Sequence, residues 1–314
     1  MPIFGGQQRS RGGGYPPPSF AMKKSIFSNR WLPYLLIAPQ LVVVLIFFFW
    51  PAFDSLRLSV FQVSPFGDRQ IFVGGQNFIS LLVSSEYHRS IFHSFVFSIG
   101  VTFLGLGFSL FLATLANQKI MGLPFYRAAI LWTYGIAPPV SGVIWLFIFH
   151  PSYGILTYAL SLVTTYQFDW LLKGWVAILL VIFAAAWAHL GYNVAFFLAA
   201  LQTIPKSIID AAKVDGASGI RLFRWITLPL LSPVTFFLFI MNMVFSFFET
   251  FGIIHAVTQG GPGDATTIMV YKTYLDGFVN MRIGTSAAQS VILMALVIFL
   301  TVLQFRYAER KVFY

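Results

Sequence analysis

The chain has 314 residues, of which 58% are hydrophobic and only 10% are charged, whereas roughly a quarter of residues carry charge in soluble domains. With a mean hydropathy of +0.78, a soluble fold of this size could not hide its apolar surface, so lipid is predicted to surround most of the chain. The net charge of +10 does not indicate nucleic-acid binding, since the aromatic residues lie inside apolar runs, and the lack of cysteine excludes disulfides and thiolate metal sites.

Residues 1–30 are predicted to form a basic, disordered cytoplasmic tail, because they are rich in Gly, Pro, Ser and Arg and contain no acidic residue. The rest of the chain, 31–314, is predicted to be one transmembrane domain. A membrane helix needs about 20 mostly apolar residues, and six segments meet that condition: about 32–51, 91–116, 125–149, 175–203, 232–257 and 286–305. The sequence therefore predicts an all-α polytopic membrane protein with six transmembrane helices.

Two features interrupt this regular pattern. The apolar stretch from Tyr153 to Thr165 is too short to span a membrane and is predicted to be an interfacial or external helix. Pro138 and Pro139 lie inside the third segment and remove two backbone donors, so that helix is predicted to be kinked or broken there. The kink could border a cavity or could equally be a packing bend.

The distribution of Lys and Arg predicts the orientation. If the N-terminus is cytoplasmic, the inner segments hold 14 of the 20 basic residues and the outer loops hold six. The positive-inside rule then places both termini in the cytoplasm. An odd number of spans would break this alternation.

The longest polar interruption on the predicted inner side is the segment 204–231. Ser207 is predicted to cap a short helix that Gly216 ends, and a second short helix is predicted from Gly219 to Ile226. Pro229 then opens the fifth span. By physical criteria alone, this helical hairpin could be either a simple connection at the headgroup level or a docking element.

The residues of this segment resemble the cytoplasmic motif of ABC importer permeases, in which Glu-Ala-Ala is followed by Gly and then by Ile-x-Leu-Pro. The matching positions are Asp210, Ala211, Ala212, Gly216, Ile226, Leu228 and Pro229, with Asp215 in the turn. Asp210 departs from the family pattern, since the motif usually has Glu. The resemblance implies that these residues couple the chain to an ATPase subunit, because in that family the two short helices dock into a groove on the motor.

Other stretches extend the resemblance to the branch of these importers that carries sugars and glycerol-3-phosphate. They are APQLVVVLIFFFWP (38–51), FVGGQNF (72–78, with Gly75 replacing the usual Leu) and the Thr258–Thr267 loop TQGGPGDATT. RWLPYLLIAPQL near the start and SAAQSVILMALVIFLTVLQFRY near the end most resemble A-type permease subunits of the glycerol-3-phosphate importer. The resemblance implies a type I ABC importer permease in a bacterial inner membrane that carries glycerol-3-phosphate or a glycerophosphodiester, with a neutral sugar or oligosaccharide as the alternative.

The same resemblance implies the partners. They are a second permease subunit that forms a heterodimer with this chain, two copies of a cytoplasmic ATPase subunit and an external solute-binding protein.

Polar residues inside the predicted spans are costly in lipid and are candidates for lining a translocation pathway. They are Ser98 and Thr102 on the second span, His189 and Asn193 on the fourth, and Asn242, Ser246 and Glu249 on the fifth. The alternative is that they simply hydrogen-bond across packed helices. No Lys or Arg lies deep in any predicted span, so an anionic solute would need His189, backbone amides or a partner subunit.

Competing functions receive less support. The chain has no G-x-x-x-x-G-K loop, so ATP hydrolysis is assigned to a partner, and no catalytic residue, metal or cofactor is expected. A membrane-embedded enzyme using His189 or Glu249 lacks a recognisable catalytic motif. A stand-alone carrier would show an inverted repeat or several buried charges, and neither stands out.

Overall fold

The computed structural model describes residues 31–118, 121–164 and 169–308, so the predicted tail at 1–30 lies outside the described residues. The described residues are mostly helical, and they fall into two compact units that divide between Ala52 and Phe53. Among these described residues, three helices are each long and apolar enough to cross a membrane, and the number of spans is six when each of three bent helix pairs is counted as one span. The predicted six-span, all-α fold is confirmed.

Helix α1 runs through Leu32–Leu58 and is apolar enough to span a membrane. Pro39 lies inside it, and a π-helical turn occupies Leu45–Phe49. Pro51 has no N–H to donate to the carbonyl of Phe47, which is where the hydrogen-bond register shifts. No residue from Leu32 to Phe49 is buried.

A short antiparallel hairpin and a small helix separate the first two spans, which the sequence did not indicate. Strand β1 (Phe61–Val63) pairs with β2 (Gln70–Phe72), and α2 covers Gln76–Val83. Helix α3 is continuous over Ser85–Ala116, six residues longer at its start than predicted. It begins where the Ser84 side chain accepts a hydrogen bond from the backbone N–H of Tyr87 at 3.3 Å.

The third span is broken, as the prolines predicted. Helix α4 (Leu123–Gly135, ending in a 3₁₀ turn) and α5 (Pro138–Phe149) meet at an angle of 109°. Helix α6 (Ile155–Val163) follows, at the site of the predicted external helix. Pro138 stands at the first position of α5, where its missing N–H costs nothing.

The fourth and fifth spans are also bent, the fifth between Pro229 and Pro233. Helices α7 (Gly174–Ala188) and α8 (Leu190–Thr203) bend by 48° at His189. After the hairpin helices α9 (Lys206–Val214) and α10 (Gly219–Leu230), a 70° bend leads into α11 (Ser232–Phe248). A second break at Glu249 and Thr250 leads into α12 (Phe251–Val257).

The chain closes with α13 (Met269–Tyr274), a π-helical turn at Leu275–Val279, and α14 (Ile283–Ala308), the last span. Asp276 in the π-helical turn is buried and accepts hydrogen bonds from Gln289 Nε2 at 2.6 Å and Asn280 Nδ2 at 2.9 Å. Lys272 Nζ lies 3.5 Å from the Asp276 carboxylate and 3.2 Å from Glu86. This cluster joins the starts of the second and last spans.

Glycines permit a close approach between α5 and α12. A Cβ added at Gly142 would stand 2.9 Å from the Cβ of Ala256 and 3.0 Å from the carbonyl oxygen of Ile253. A Cβ at Gly252 would stand 2.5 Å from Pro139 Cγ. Small residues at such crossings allow tight packing in lipid, where no hydrophobic force draws helices together.

Candidate functional site

The hairpin of α9 and α10 has a fixed turn. Helix α9 ends in a Schellman motif, in which Gly216 N–H donates to Lys213 at 3.0 Å and Ala217 N–H donates to Ala212 at 2.9 Å. Gly216 has φ of +84°, a conformation that glycine adopts without strain. Gly216 therefore ends the helix as predicted. The prediction that Ser207 caps it was wrong, because the helix starts at Lys206 after Pro205 and no side chain caps it.

The residues of the motif differ in their exposure. Ala212 is buried, and Ile226 and Pro229 are half-buried. The remaining motif residues face outward: Asp210, Ala211, Asp215, Gly216 and Leu228. Pro229 lies near the end of α10, which continues to Leu230 before the 70° bend into Ser232–Phe248.

Asp210 stands at the exposed side of α9, 3.7 Å from Lys213 Nζ. Both side chains are more than half exposed, so this ion pair contributes little to stability. The carboxylate is available to a partner.

The three most exposed large apolar side chains on the hairpin were not singled out from the sequence: Val214 (88%), Ile220 (85%) and Trp225 (69%). The sequence indicated them only through their position, since they are large apolar residues on short helices that are otherwise polar. Together with Ala211, they give the hairpin a surface that combines apolar contact with the exposed carboxylates of Asp210 and Asp215.

A cavity of about 420 Å³ lies where the broken spans come together. One wall is the break between α4 and α5, another is the α7–α8 break at His189, and a third is the end of α11 at Glu249. It is lined by Tyr134, Gly135, Ile136, Ala137, Pro138, Ala188, His189, Tyr192, Met241, Phe245 and Glu249. Its volume falls in the range of small-ligand sites.

Stacked rings form one side of this cavity. The His189 ring stacks on Phe245, with centroids 4.2 Å apart, and lies 4.7 Å from the Tyr192 ring. Tyr134 lies 5.5 Å from Tyr192 across the α4–α8 boundary. His189 Nε2 is buried and has no hydrogen-bond partner.

The seven polar residues predicted to line a pathway divide into two groups. His189 and Glu249 line the cavity. The other five are almost fully buried between helices, outside its lining: Ser98, Thr102, Asn193, Asn242 and Ser246.

The hydrogen bonds of this buried group connect three spans. Asn193 and Asn242 exchange two side-chain hydrogen bonds, of 3.0 and 2.8 Å. The hydroxyls of Ser98 and Ser246 are 2.5 Å apart. These contacts join α3, α8 and α11 directly behind the cavity and hold its walls together.

Curated relatives match almost the whole chain. The sn-glycerol-3-phosphate transport system permease protein UgpA of Rhizobium meliloti (strain 1021) is 50% identical over 293 residues, covering 93% of this chain and 100% of the relative. UgpA of Agrobacterium fabrum is 49% identical with the same coverage. UgpA of Salmonella typhi is 47% identical, covering 93% of this chain and 98% of the relative.

Solved structures show the same fold. A chain of a bacterial ABC transporter involved in the import of the acidic polysaccharide alginate superposes with a TM-score of 0.76 at 19% identity, covering 89% of this chain and 96% of that chain. The alginate transporter in complex with an alginate pentasaccharide-bound periplasmic protein gives a TM-score of 0.75 at 19% identity, covering 89% and 94%. No family model matches the sequence.

Proposed function

The chain belongs to the family of ABC importer permeases that includes the sn-glycerol-3-phosphate transport system permease proteins, and from this we propose that it helps to carry glycerol-3-phosphate or a glycerophosphodiester across a bacterial inner membrane. The identity of about half of all residues over 93% of the chain supports this substrate class. The chain itself is a non-catalytic transport subunit.

ATP hydrolysis is assigned to a partner, and the hairpin of α9 and α10 is the proposed contact. It is rigid at its Schellman turn and carries an exposed carboxylate with three exposed apolar side chains. After a 70° bend, α10 leads directly into α11, which ends at Glu249. A movement of the hairpin would therefore be transmitted to α11. This continuity is the observation that carries the proposal.

The assembly that we propose contains this chain, a second permease subunit, two copies of a cytoplasmic ATPase subunit and an external solute-binding protein. A periplasmic protein is bound in the structurally similar alginate transporter. The excess of Lys and Arg in the predicted inner segments supports the proposal that both termini are cytoplasmic.

Purification of the tagged chain from its own membrane tests the assembly. We expect an ATPase with a phosphate-binding loop and a second polytopic chain to copurify. In proteoliposomes supplied with the external binding protein, we expect ATP-dependent uptake of labelled glycerol-3-phosphate. Copurification without an ATPase would contradict the permease assignment.

The substrate is tested separately, by isolating the matching binding protein and measuring its ligand. Binding of glycerol-3-phosphate or of glycerophosphocholine supports the proposal. If the binding protein instead holds a neutral sugar and ignores both phosphates, the substrate assignment is wrong while the permease assignment remains.

A further inference from the structure

The charge of the cavity does not match an anionic substrate. Among the described residues that line it, none is Lys or Arg, and the one carboxylate, Glu249, is exposed. Glu249 stands at the break between α11 and α12, where no packed helix covers its side chain. A phosphate ester passing this surface would meet a negative charge.

We propose that this cavity receives the glycerol end of the substrate, with Glu249 as the acceptor for its hydroxyl groups, and that the phosphate faces away from this chain. The inference rests on the proposed function and assigns this chain one part of the substrate. The ligand chemistry is a vicinal diol, which glycerol-3-phosphate and glycerophosphodiesters both carry.

Carboxylate and aromatic groups together suit a diol. A carboxylate accepts hydrogen bonds from two neighbouring hydroxyl groups, and a hydrogen bond to a charged group contributes more than one between neutral groups. The Tyr134 and Tyr192 rings offer flat apolar surfaces for the carbon backbone, and their hydroxyls can donate and accept. Tyr134, Tyr192 and Glu249 line the same cavity, so the three groups act on one region.

The same carboxylate sets the orientation of the substrate. Repulsion between Glu249 and the phosphate disfavours the reversed pose. Glu249 is therefore a specificity-determining residue, which selects a hydroxyl end and excludes an anionic end.

Uptake kinetics of the whole transporter test the hydroxyl contact. In proteoliposomes with saturating binding protein, we expect Glu249→Gln to lower the maximal uptake rate of glycerol-3-phosphate by about tenfold, because neutral hydrogen bonds replace charge-assisted ones. Glycerophosphocholine should lose the same factor if the shared glycerol group makes the contact. A loss confined to glycerol-3-phosphate would point to the free phosphate and overturn the proposal.

Glu86→Gln is the matched control. Glu86 lies outside the cavity lining, and its side chain is 61% exposed. It forms a salt bridge with Lys272. We expect uptake by this variant to stay within twofold of the parent rate. Equal losses in both variants would show a general effect of removing a carboxylate and would contradict the assignment.

A second measurement reads the charge of the cavity directly and does not depend on uptake. The chain has no cysteine, so Ala137→Cys places a single thiol in the cavity lining. In the purified complex, a cationic methanethiosulfonate should modify this thiol faster than an anionic one, relative to their rates with a free thiol. Adding Glu249→Gln should lower that cationic preference by about fivefold. The complex without Ala137→Cys measures any reaction of partner thiols.

The outcomes separate this inference from the proposed function. If the parent complex does not take up glycerol-3-phosphate, the proposed function is wrong. If the parent complex imports glycerol-3-phosphate but Glu249→Gln changes neither its rate nor the reagent preference, the proposed function stands and the role of Glu249 is refuted.

Discussion

The buried carboxylate of Asp276 interacts with several polar side chains from neighbouring turns and helices. Gln289 and Asn280 donate to it, Lys272 lies beside it, and its side chain is only 4% exposed. Asp276→Ala leaves these donors without their acceptor, and we expect a loss of about 2–3 kcal/mol in the free energy of unfolding. Chemical denaturation of the solubilised complex, followed by tryptophan fluorescence, measures this.

Asp68→Ala is the control for Asp276→Ala. Asp68 lies in the hairpin turn, is 63% exposed and accepts a hydrogen bond from the Ser64 hydroxyl. Its replacement should change stability by less than about 0.5 kcal/mol. If the two alanine variants unfold alike, the Asp276 cluster does not stabilise the fold.

Asp210 makes a different residue-scale prediction, about coupling. Because its carboxylate is exposed and its pair with Lys213 is weak, Asp210→Lys should leave insertion and folding intact but reverse the charge that a partner meets. We expect substrate-stimulated ATPase activity to fall at least tenfold. Asp210→Glu restores the residue usual in the family motif and should retain full activity. Unchanged stimulation in the Lys variant would refute a coupling role for this position.

At the scale of elements, glycine decides how closely α5 and α12 approach. Gly142→Ala places a Cβ against Ala256 and the Ile253 carbonyl at 2.9–3.0 Å, so we expect a loss of about 1–3 kcal/mol from overpacking. Gly107→Ala is the matched control, since its Cβ would meet nothing within 4 Å. Because alanine also favours a helix over glycine, this control should be neutral or slightly stabilising. Thermal unfolding of both variants in detergent tests the contrast.

The existence of the spans and the break in the third span at Pro138 could be predicted from the sequence, because both have local causes. Apolar length defines each span, and proline removes the donor that a continuous helix needs. The break at His189 has no such mark in the sequence. There, Gly191 N–H donates to Thr133 Oγ1 on α4 at 2.9 Å instead of to its own helix. A hydrogen bond between residues 58 positions apart cannot be read from a local pattern.

The break at Glu249, in contrast, has a local cause that is visible in the sequence. The Thr250 hydroxyl donates to the Ser246 carbonyl at 2.9 Å, one turn earlier, and such bonds bend helices. The polar face of Asn242, Ser246 and Glu249 was visible from spacing alone. Of these three residues, Glu249 alone lines the cavity. This difference could not be predicted, because the burial of Asn242 depends on its hydrogen bonds with Asn193.

At the scale of the whole molecule, the distribution of basic residues predicts the orientation in the membrane. Fourteen of the 20 Lys and Arg residues lie in segments on one side, which the positive-inside rule assigns to the cytoplasm. Two highly exposed residues lie on opposite sides of the membrane in the predicted topology, one in an outer loop and one in an inner loop. Phe66 in the β-hairpin turn is 94% exposed, and Met121 between the second and third spans is 97% exposed.

A membrane-impermeant thiol reagent applied to intact spheroplasts distinguishes the two orientations. Phe66→Cys and Met121→Cys each introduce the only cysteine of the chain, and both are surface substitutions that should change stability little. We expect Phe66→Cys to be labelled in intact spheroplasts, and Met121→Cys to be labelled only after the membrane is permeabilised. The reversed pattern would place the α9–α10 hairpin, which lies on the same predicted side as Met121, outside the cell. ATP is held inside, so no cytoplasmic ATPase could then dock on the hairpin, and the coupling role proposed for Asp210 would fail together with the orientation.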